Sequence, residues 1–335
     1  MNRYPDPLSA QPILVNTGPY SLELRDYGDS AAELVILLHG FPECWASWRH
    51  QIMPLVRAGY RVLVPNLRGY GLGDKPQALQ DYRVDQLAGD IDALMAYAKA
   101  EHCHLVGHDW GGGIAWWYGI HHSQRLLSLS ILNAPHPLAF LEVLKKRPQQ
   151  WLKSWYIFFF QLPWLPERVI RLFNFKRLRD TLIQTSTPGA YTDQDLQLLQ
   201  HTWQQPGTVK AMLNYYRCLL RDIRKPALPA RVSAPTQILW GEQDLALSLD
   251  MAVLSREYLD KGELIRFADA THWLAHDKPD AVSDYLLAHF ARHSSTPGTK
   301  QAPPQIQPPS TSSQINSSSI SNDSPATVSH EIQPQ

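Results

Sequence analysis

A mostly parallel α/β sheet flanked by helices and carrying one helical insertion is the fold class that the sequence predicts. Three features point to it: short apolar runs along the chain, helix-like stretches between them, and one long segment where the strand signal stops. The runs are 34–38, 61–64, 104–106, 127–132, 236–240 and 263–267. Uninterrupted apolar runs bounded by turn residues suit strands buried on both faces, as parallel strands are. Helical periodicity over 84–100 and 112–121 supplies the crossovers that parallel strands require. Between 139 and 232 the pattern is helical and rich in Trp, Phe, Leu and Arg, with proline-bearing breaks at 163–166, 188 and 226–229. After Phe290 there is no further aromatic residue, and Ser, Pro, Gln and Thr dominate, too little apolar surface to offset the entropy of ordering. The expected organisation is a first core part at 1–138, a helical cap at 139–232, a second core part at 233–292 and a disordered tail at 293–335.

The 335 residues allow about two structural units at roughly 150 residues each. Lys and Arg total 31 and Asp and Glu total 31, so no global field draws the chain to nucleic acid. Cys44, Cys103 and Cys218 are an odd, scattered set without a C-x-x-C pair, which fits a reducing compartment rather than a disulfide framework. The first residues, with prolines at 5 and 7, lack the apolar run of a signal peptide, and no stretch reaches the ~18 apolar residues of a membrane span. A cytoplasmic protein with no integral membrane segment is expected.

The strongest chemical signal is Gly107-His108-Asp109-Trp110-Gly111, which follows one strand and opens a helix. This is the G-x-S-x-G spacing of a nucleophile elbow, a tight strand-to-helix turn that pushes its central side chain outward, with Asp in place of Ser. Directly after the strand ending at Leu38 comes His39-Gly40-Phe41-Pro42-Glu43, in the position of a loop that lends a backbone N–H to an oxyanion hole. The expected donors are the N–H groups of Phe41 and Trp110. Gly241-Glu242-Gln243-Asp244 and Thr271-His272-Trp273 follow the last two strands, so nucleophile, acid and histidine occur in the order Asp109, Asp244, His272. His39, Phe41, Trp110 and Trp273 flank these groups and are expected to line the substrate pocket. His272 and His276 stand four apart, but they form no H-E-x-x-H pair and no third ligand is evident, so neither a metal nor an organic cofactor is expected.

On these motifs, together with Arg68-Gly69-Tyr70-Gly71, Asn133-Ala134-Pro135-His136-Pro137 and the run 272–279, the sequence resembles the epoxide hydrolases of the α/β-hydrolase superfamily over nearly all of residues 12–292. The resemblance implies the α/β-hydrolase fold, an inserted cap, and two cap tyrosines that assist ring opening, at Tyr156 and Tyr216. Gly73 departs from the serine that relatives often carry, a change expected to touch the loop and not the chemistry. For Tyr216 the residues speak independently: Val209, Met212, Leu213 and Leu220 share its helical face, while Tyr215 lies about 100° round the helix.

A carboxylate nucleophile suits displacement at saturated carbon and forms an alkyl ester with its own side chain. Asp is ionised near neutral pH, its free pKa being about 3.9, so His272 is left to activate water against that ester, oriented by Asp244. An epoxide oxygen leaves as a tethered alkoxide and needs a proton donor, which tyrosine with a pKa of about 10 supplies. The expected function is opening of a small apolar epoxide to a vicinal diol with water as the second substrate. A haloalkane dehalogenase using the same three residues is the rival enzyme, although Phe41 has no side-chain donor for a halide; a C–F dehalogenase would place Arg where Trp110 stands. A pocket protein that has lost turnover is the non-catalytic alternative.

Overall fold

The computed structural model describes residues 7–222 and 231–295. Eight strands form one sheet: β1 (Ile13–Asn16), β2 (Ser21–Tyr27), β3 (Leu34–Leu38), β4 (Arg61–Pro65), β5 (Cys103–His108), β6 (Leu126–Leu132), β7 (Thr236–Gly241) and β8 (Gly262–Phe267). Their order is β1-β2-β4-β3-β5-β6-β7-β8. β1, β2 and β4 pair antiparallel, and every pair from β4 through β8 is parallel. Every residue of β3, β4, β5 and β7 is buried, as their unbroken apolar runs require.

Topology places the site. From β3 the chain crosses through α1 (Arg49–Arg57) to β4 on one side, then through α2 (Val84–Ala98) to β5 on the other side of β3. The carboxyl ends of β3 and β5 therefore lie side by side where the winding direction reverses, the usual crevice of an open α/β sheet. The 39–43 loop leaves one end and Asp109 the other. From the elbow α3 (Trp110–His122) packs back on β5 and β6.

Among the described residues, seven helices occupy the span between β6 and β7: α4 (Pro137–Lys146), α5 (Pro148–Lys153), α6 (Trp155–Phe159), α7 (Leu165–Arg171), α8 (Lys176–Thr185), α9 (Asp193–Gln204) and α10 (Thr208–Asp222). Local sequence sets their starts. Pro137 opens α4 and the His136 ring accepts the Leu138 N–H at 3.2 Å; Thr192 and Asp195 exchange a reciprocal capping box at the head of α9. The chain returns through β7, α11 (Leu249–Arg256), β8 and α12 (Leu274–Asp277) to α13 (Pro279–Arg292), which packs against α1.

The six expected strands are all present, each extended by no more than a few residues. β1 and β2 are additional. β1 carries the short apolar run Ile13 to Val15 but lies at the sheet edge with only Val15 buried, and β2 buries Glu23 and Arg25 as an ion pair at 2.7 Å, which interrupts its apolar pattern. The expected boundary at 139 falls inside α4, which begins two residues earlier and packs on α11 of the sheet region. At the other end the fold continues past 293, because Ser294 Oγ and Ser295 N–H each donate to Glu33 at 2.8 Å. The proline break at 226–229 and the expected tail from 296 onward lie outside the described residues. Among the described residues no helix is long and apolar enough to cross a membrane.

Candidate active site

Asp109 sits between β5 and α3 with φ 48° and ψ −117°, a left-handed conformation that a non-glycine residue adopts only when its surroundings enforce it. The enforcement is close approach. A Cβ on Gly111 would strike the Leu38 carbonyl, and one on Gly40 would stand 2.5 Å from the Asp109 Cβ, so glycine at both positions lets the elbow and the 39–43 loop touch. The Gly111 N–H donates to the His39 carbonyl at 3.1 Å and locks the two together.

The two oxygens of Asp109 are treated differently. Oδ1 accepts the Phe41 N–H at 2.8 Å, whereas Oδ2 faces His272 Nε2 at 3.6 Å. The Trp110 N–H, the other expected donor, has no acceptor among the described residues and stands free at the start of α3. On the far side of the imidazole, His272 Nδ1 lies 2.6 Å from Asp244 Oδ2. Asp244 is fully sequestered: Oδ1 accepts the N–H groups of Ala246 and Leu247 at 2.8 and 2.9 Å, and Asn133 Nδ2 donates to Oδ2 at 2.9 Å. Burial favours a neutral Asp244, but the His272 charge and these donors outweigh it and hold the carboxyl below its ordinary range. Burial likewise opposes charge on His272, and the flanking carboxylates of Asp244 and Asp109 overcome it, holding the ring well above its ordinary pKa.

Beside Asp109 lies a cavity of about 230 Å³, walled by Trp110, Tyr156, Tyr215, Tyr216, Phe140 and Leu141 among others. Tyr156 comes from α6 and Tyr216 from α10, and their rings meet edge-on with centroids 5.8 Å apart. Burial, then the Asp109 charge, raises the pKa of both phenols above the ordinary value, so both keep their protons as hydrogen-bond donors. Tyr215, expected on another helical face, is buried too and shares the cavity wall. Its hydroxyl is committed to the Arg68 carbonyl at 2.7 Å, which distinguishes it from Tyr216.

Of the expected pocket residues only Trp110 lines this cavity. His39 is wholly buried behind the loop: Nε2 accepts the Leu67 N–H at 3.0 Å and Nδ1 donates to the Gly40 carbonyl at 2.9 Å. That pairing requires the neutral ring, and burial pushes its pKa down to about 4. Phe41 packs its ring against Phe160 and Tyr216, with centroids at 5.7 and 5.2 Å. Trp273 packs edge-on against His272 and donates its indole N–H to Thr185 of α8 at 2.8 Å. His39 therefore braces the loop, while Phe41 and Trp273 pack directly on Tyr216 and His272.

Asn133, Glu43, Arg49, His108 and Asp277 lie close to the site and carry no role in the sequence reading. Asn133, at φ 41°, binds Gly241 through both its amide oxygen and nitrogen and so fixes the turn that holds Asp244. Glu43 is buried, with Oε1 accepting from Tyr191 at 2.9 Å and His276 Nε2 at 2.6 Å. Arg49, which can only donate, meets His276 Nδ1 at 2.7 Å, so His276 is hydrogen-bonded on both nitrogens. His108 spans from Glu43, at 3.4 Å, to the carbonyl of His272, at 2.9 Å. Asp277 accepts the Thr271 N–H and hydroxyl at 2.7 and 2.6 Å on one oxygen and those of Thr187 at 3.0 and 2.8 Å on the other, tying the His272 loop to the helical insertion.

Comparison with known proteins places the chain in a family. The sequence profile of the alpha/beta hydrolase fold matches residues 33–279. The AB hydrolase superfamily protein YfhM of Bacillus subtilis is 39% identical over 279 residues, covering 82% of this chain and 96% of that protein. Epoxide hydrolase 4 of Homo sapiens is 37% identical over 265 residues, covering 77% of this chain and 72% of that protein. Among solved structures, the Bacillus megaterium epoxide hydrolase in complex with an inhibitor superposes with a TM-score of 0.76 at 31% identity, covering 84% of this chain and 99% of that one. The chain therefore belongs to the epoxide hydrolase family of the α/β-hydrolase superfamily.

Proposed function

We propose that the protein hydrolyses an apolar epoxide to a vicinal diol through an alkyl ester on Asp109. The observation that carries the reading is the Asp109 carboxylate, anchored by the Phe41 N–H on Oδ1 and sharing one apolar cavity with two protonated tyrosines. Oδ2 attacks a ring carbon, the carbon–oxygen bond breaks, and its electron pair goes to the ring oxygen, which takes a proton from Tyr156 or Tyr216. The helical cap supplies both phenols, and its apolar wall excludes the water that would compete for the alkoxide.

Esterification removes the Asp109 charge and with it one of the two carboxylates that raise the His272 pKa. The ring then gives its proton to the tyrosinate through the bound intermediate and solvent and, now neutral, takes a proton from water through Nε2, while Asp244 holds Nδ1. The resulting hydroxide adds to the Asp109 carboxyl carbon, charge gathers on Oδ1 opposite the Phe41 N–H and the free Trp110 N–H, and collapse releases the diol carrying the former Oδ2. The departing diol oxygen takes the proton of the added hydroxyl, which leaves Asp109 ionised, His272 protonated by the water and both tyrosines neutral, as at rest. Three free, buried cysteines support a reducing, cytoplasmic setting.

The test is intact-protein mass spectrometry of His272→Gln mixed with panels of apolar epoxides and haloalkanes. A gain equal to the whole epoxide, mapped to the Asp109 peptide, is expected. A gain short of one hydrogen halide would make the protein a dehalogenase, and no adduct from a folded variant would count against catalysis through Asp109.

A further inference from the structure

The outer face of the helical insertion differs from ordinary protein surface. Trp151, Leu152, Trp155, Phe158, Trp164 and Phe173 are all exposed, Leu152 at 77% and Phe173 at 80%. Trp151 stacks on Phe158 with centroids 5.5 Å apart, Trp155 lies 5.9 Å from Phe159, and the Arg168 guanidinium covers Trp164 at 5.0 Å. Trp164 and Phe173 are exposed at φ 52° and 51°, a left-handed conformation that is an outlier for bulky side chains and that continues through Asn174 to the buried Phe175 at φ 64°. Large apolar side chains exposed in succession, with backbone strain spent on two of them, mark an interaction surface.

Charge selects the partner. Between residues 142 and 180 nine Lys and Arg face three Asp and Glu, in a chain whose totals are 31 and 31. Lys145, Lys153, Arg168, Arg171 and Arg177 are exposed and meet no carboxylate among the described residues. A second copy seated on this face would oppose two basic surfaces, whereas an anionic bilayer neutralises one. Trp, Phe and Leu interspersed with uncompensated Lys and Arg is the composition that settles into the interfacial layer of such a bilayer.

We propose that the 142–180 face docks the protein on anionic membrane lipid, with Trp155, Trp164 and Phe173 entering the interfacial layer and the basic side chains meeting the headgroups. α6 then serves two surfaces at once. Trp155 and Phe158 turn outward, while Tyr156 and Ile157 line the cavity that holds Asp109. An apolar molecule dissolved in the bilayer is thereby delivered next to the cavity wall.

Flotation of the full chain with vesicles tests this, comparing phosphatidylcholine alone with a phosphatidylcholine–phosphatidylglycerol mixture. The protein is expected to float with the mixture only. Each basic residue near an anionic surface strengthens partitioning about fivefold, so Lys153→Glu with Arg171→Glu should weaken it at least about 25-fold. Trp155→Ser with Trp164→Ser and Phe173→Ser should abolish flotation, with an unchanged melting temperature showing that the variants fold. No flotation with the mixture, or flotation that survives both sets of substitutions, overturns the proposal. So does a concentration-dependent dimer that the same substitutions dissolve in the absence of vesicle binding, which would assign the face to a second copy.

Discussion

One carboxylate with two unlike oxygens is the centre of the site. Oδ1 is tied to the Phe41 N–H, so Oδ2 is left to react, and replacing it in Asp109→Asn should lower epoxide turnover at least about 10³-fold in steady-state assays with deamidation excluded. The two phenols share one task, so Tyr156→Phe and Tyr216→Phe should each retain part of the activity and the double variant almost none, a non-additivity that kcat for the four proteins measures. His272 gives a titration that does not depend on turnover. Asp109 is one of the charges that raise its pKa, so in Asp109→Asn the NMR titration midpoint of the His272 ring should fall relative to the parent protein. At this scale Asp109, Asp244 and His272, the proposed nucleophile, acid and base, could be singled out in the sequence because each lies in the loop that follows a strand. Asn133 and Glu43 could not, since a polar residue in a loop gives no sign of becoming buried until its partners, Gly241 and His276, arrive from far along the chain. His39 was misassigned for a related reason: a loop histidine beside a nucleophile looks like a pocket residue, and only the hydrogen bond from Leu67 reveals that it braces the loop.

The elements around the site are held by contacts with almost no tolerance. A methyl group on Gly111 would drive the head of α3 into the Leu38 carbonyl, so Gly111→Ala should destabilise the fold by about 3 kcal/mol, read from urea unfolding, and reduce activity further by displacing Asp109. Asp277 joins the His272 loop to the helical insertion through four hydrogen bonds to Thr271 and Thr187. Buried strands announce themselves through unbroken apolar runs, which is why β3 to β8 were visible in the sequence. β1 was missed although Ile13 to Val15 is a short apolar run, and β2 was hidden because its buried Glu23–Arg25 pair imitates a polar loop. Helical periodicity singled out Tyr216 but wrongly turned Tyr215 away; α10 is packed on more than one face, and a hydrogen bond to Arg68, not burial, separates the two tyrosines.

Across the whole molecule, neutrality hides a division of charge. Inside, Glu43 and Asp244 are both held below the ordinary carboxylate range, Glu43 by His276 and His108 against the penalty of burial. A carboxylate with a depressed folded pKa contributes stability that is complete above its unfolded value, about 4.3 for Glu, and is lost as pH falls from there toward the folded value. Glu43→Gln should therefore be less stable than the parent by about 3 kcal/mol near neutral pH, and the gap in denaturant midpoint should narrow as pH drops below that value. A gap independent of pH would remove Glu43 from the account. His272 acts in the opposite sense: its folded pKa is raised, so its contribution is present below about pH 6.5 and is lost as pH rises through the folded value. The order of strands and the switch point between β3 and β5 follow from the alternation of runs and helices, whereas the placement of seven helices over the crevice depends on contacts such as Trp273 with Thr185 that no local pattern encodes.

The claim that Asp109 lends an oxygen to the product is tested most directly by a single turnover in ¹⁸O-water with the enzyme in excess over epoxide. The account predicts diol free of ¹⁸O and one ¹⁸O atom in the carboxylate of the Asp109 peptide. Diol carrying ¹⁸O in that first turnover, with Asp109 unlabelled, would mean that water attacks the epoxide directly and would contradict it.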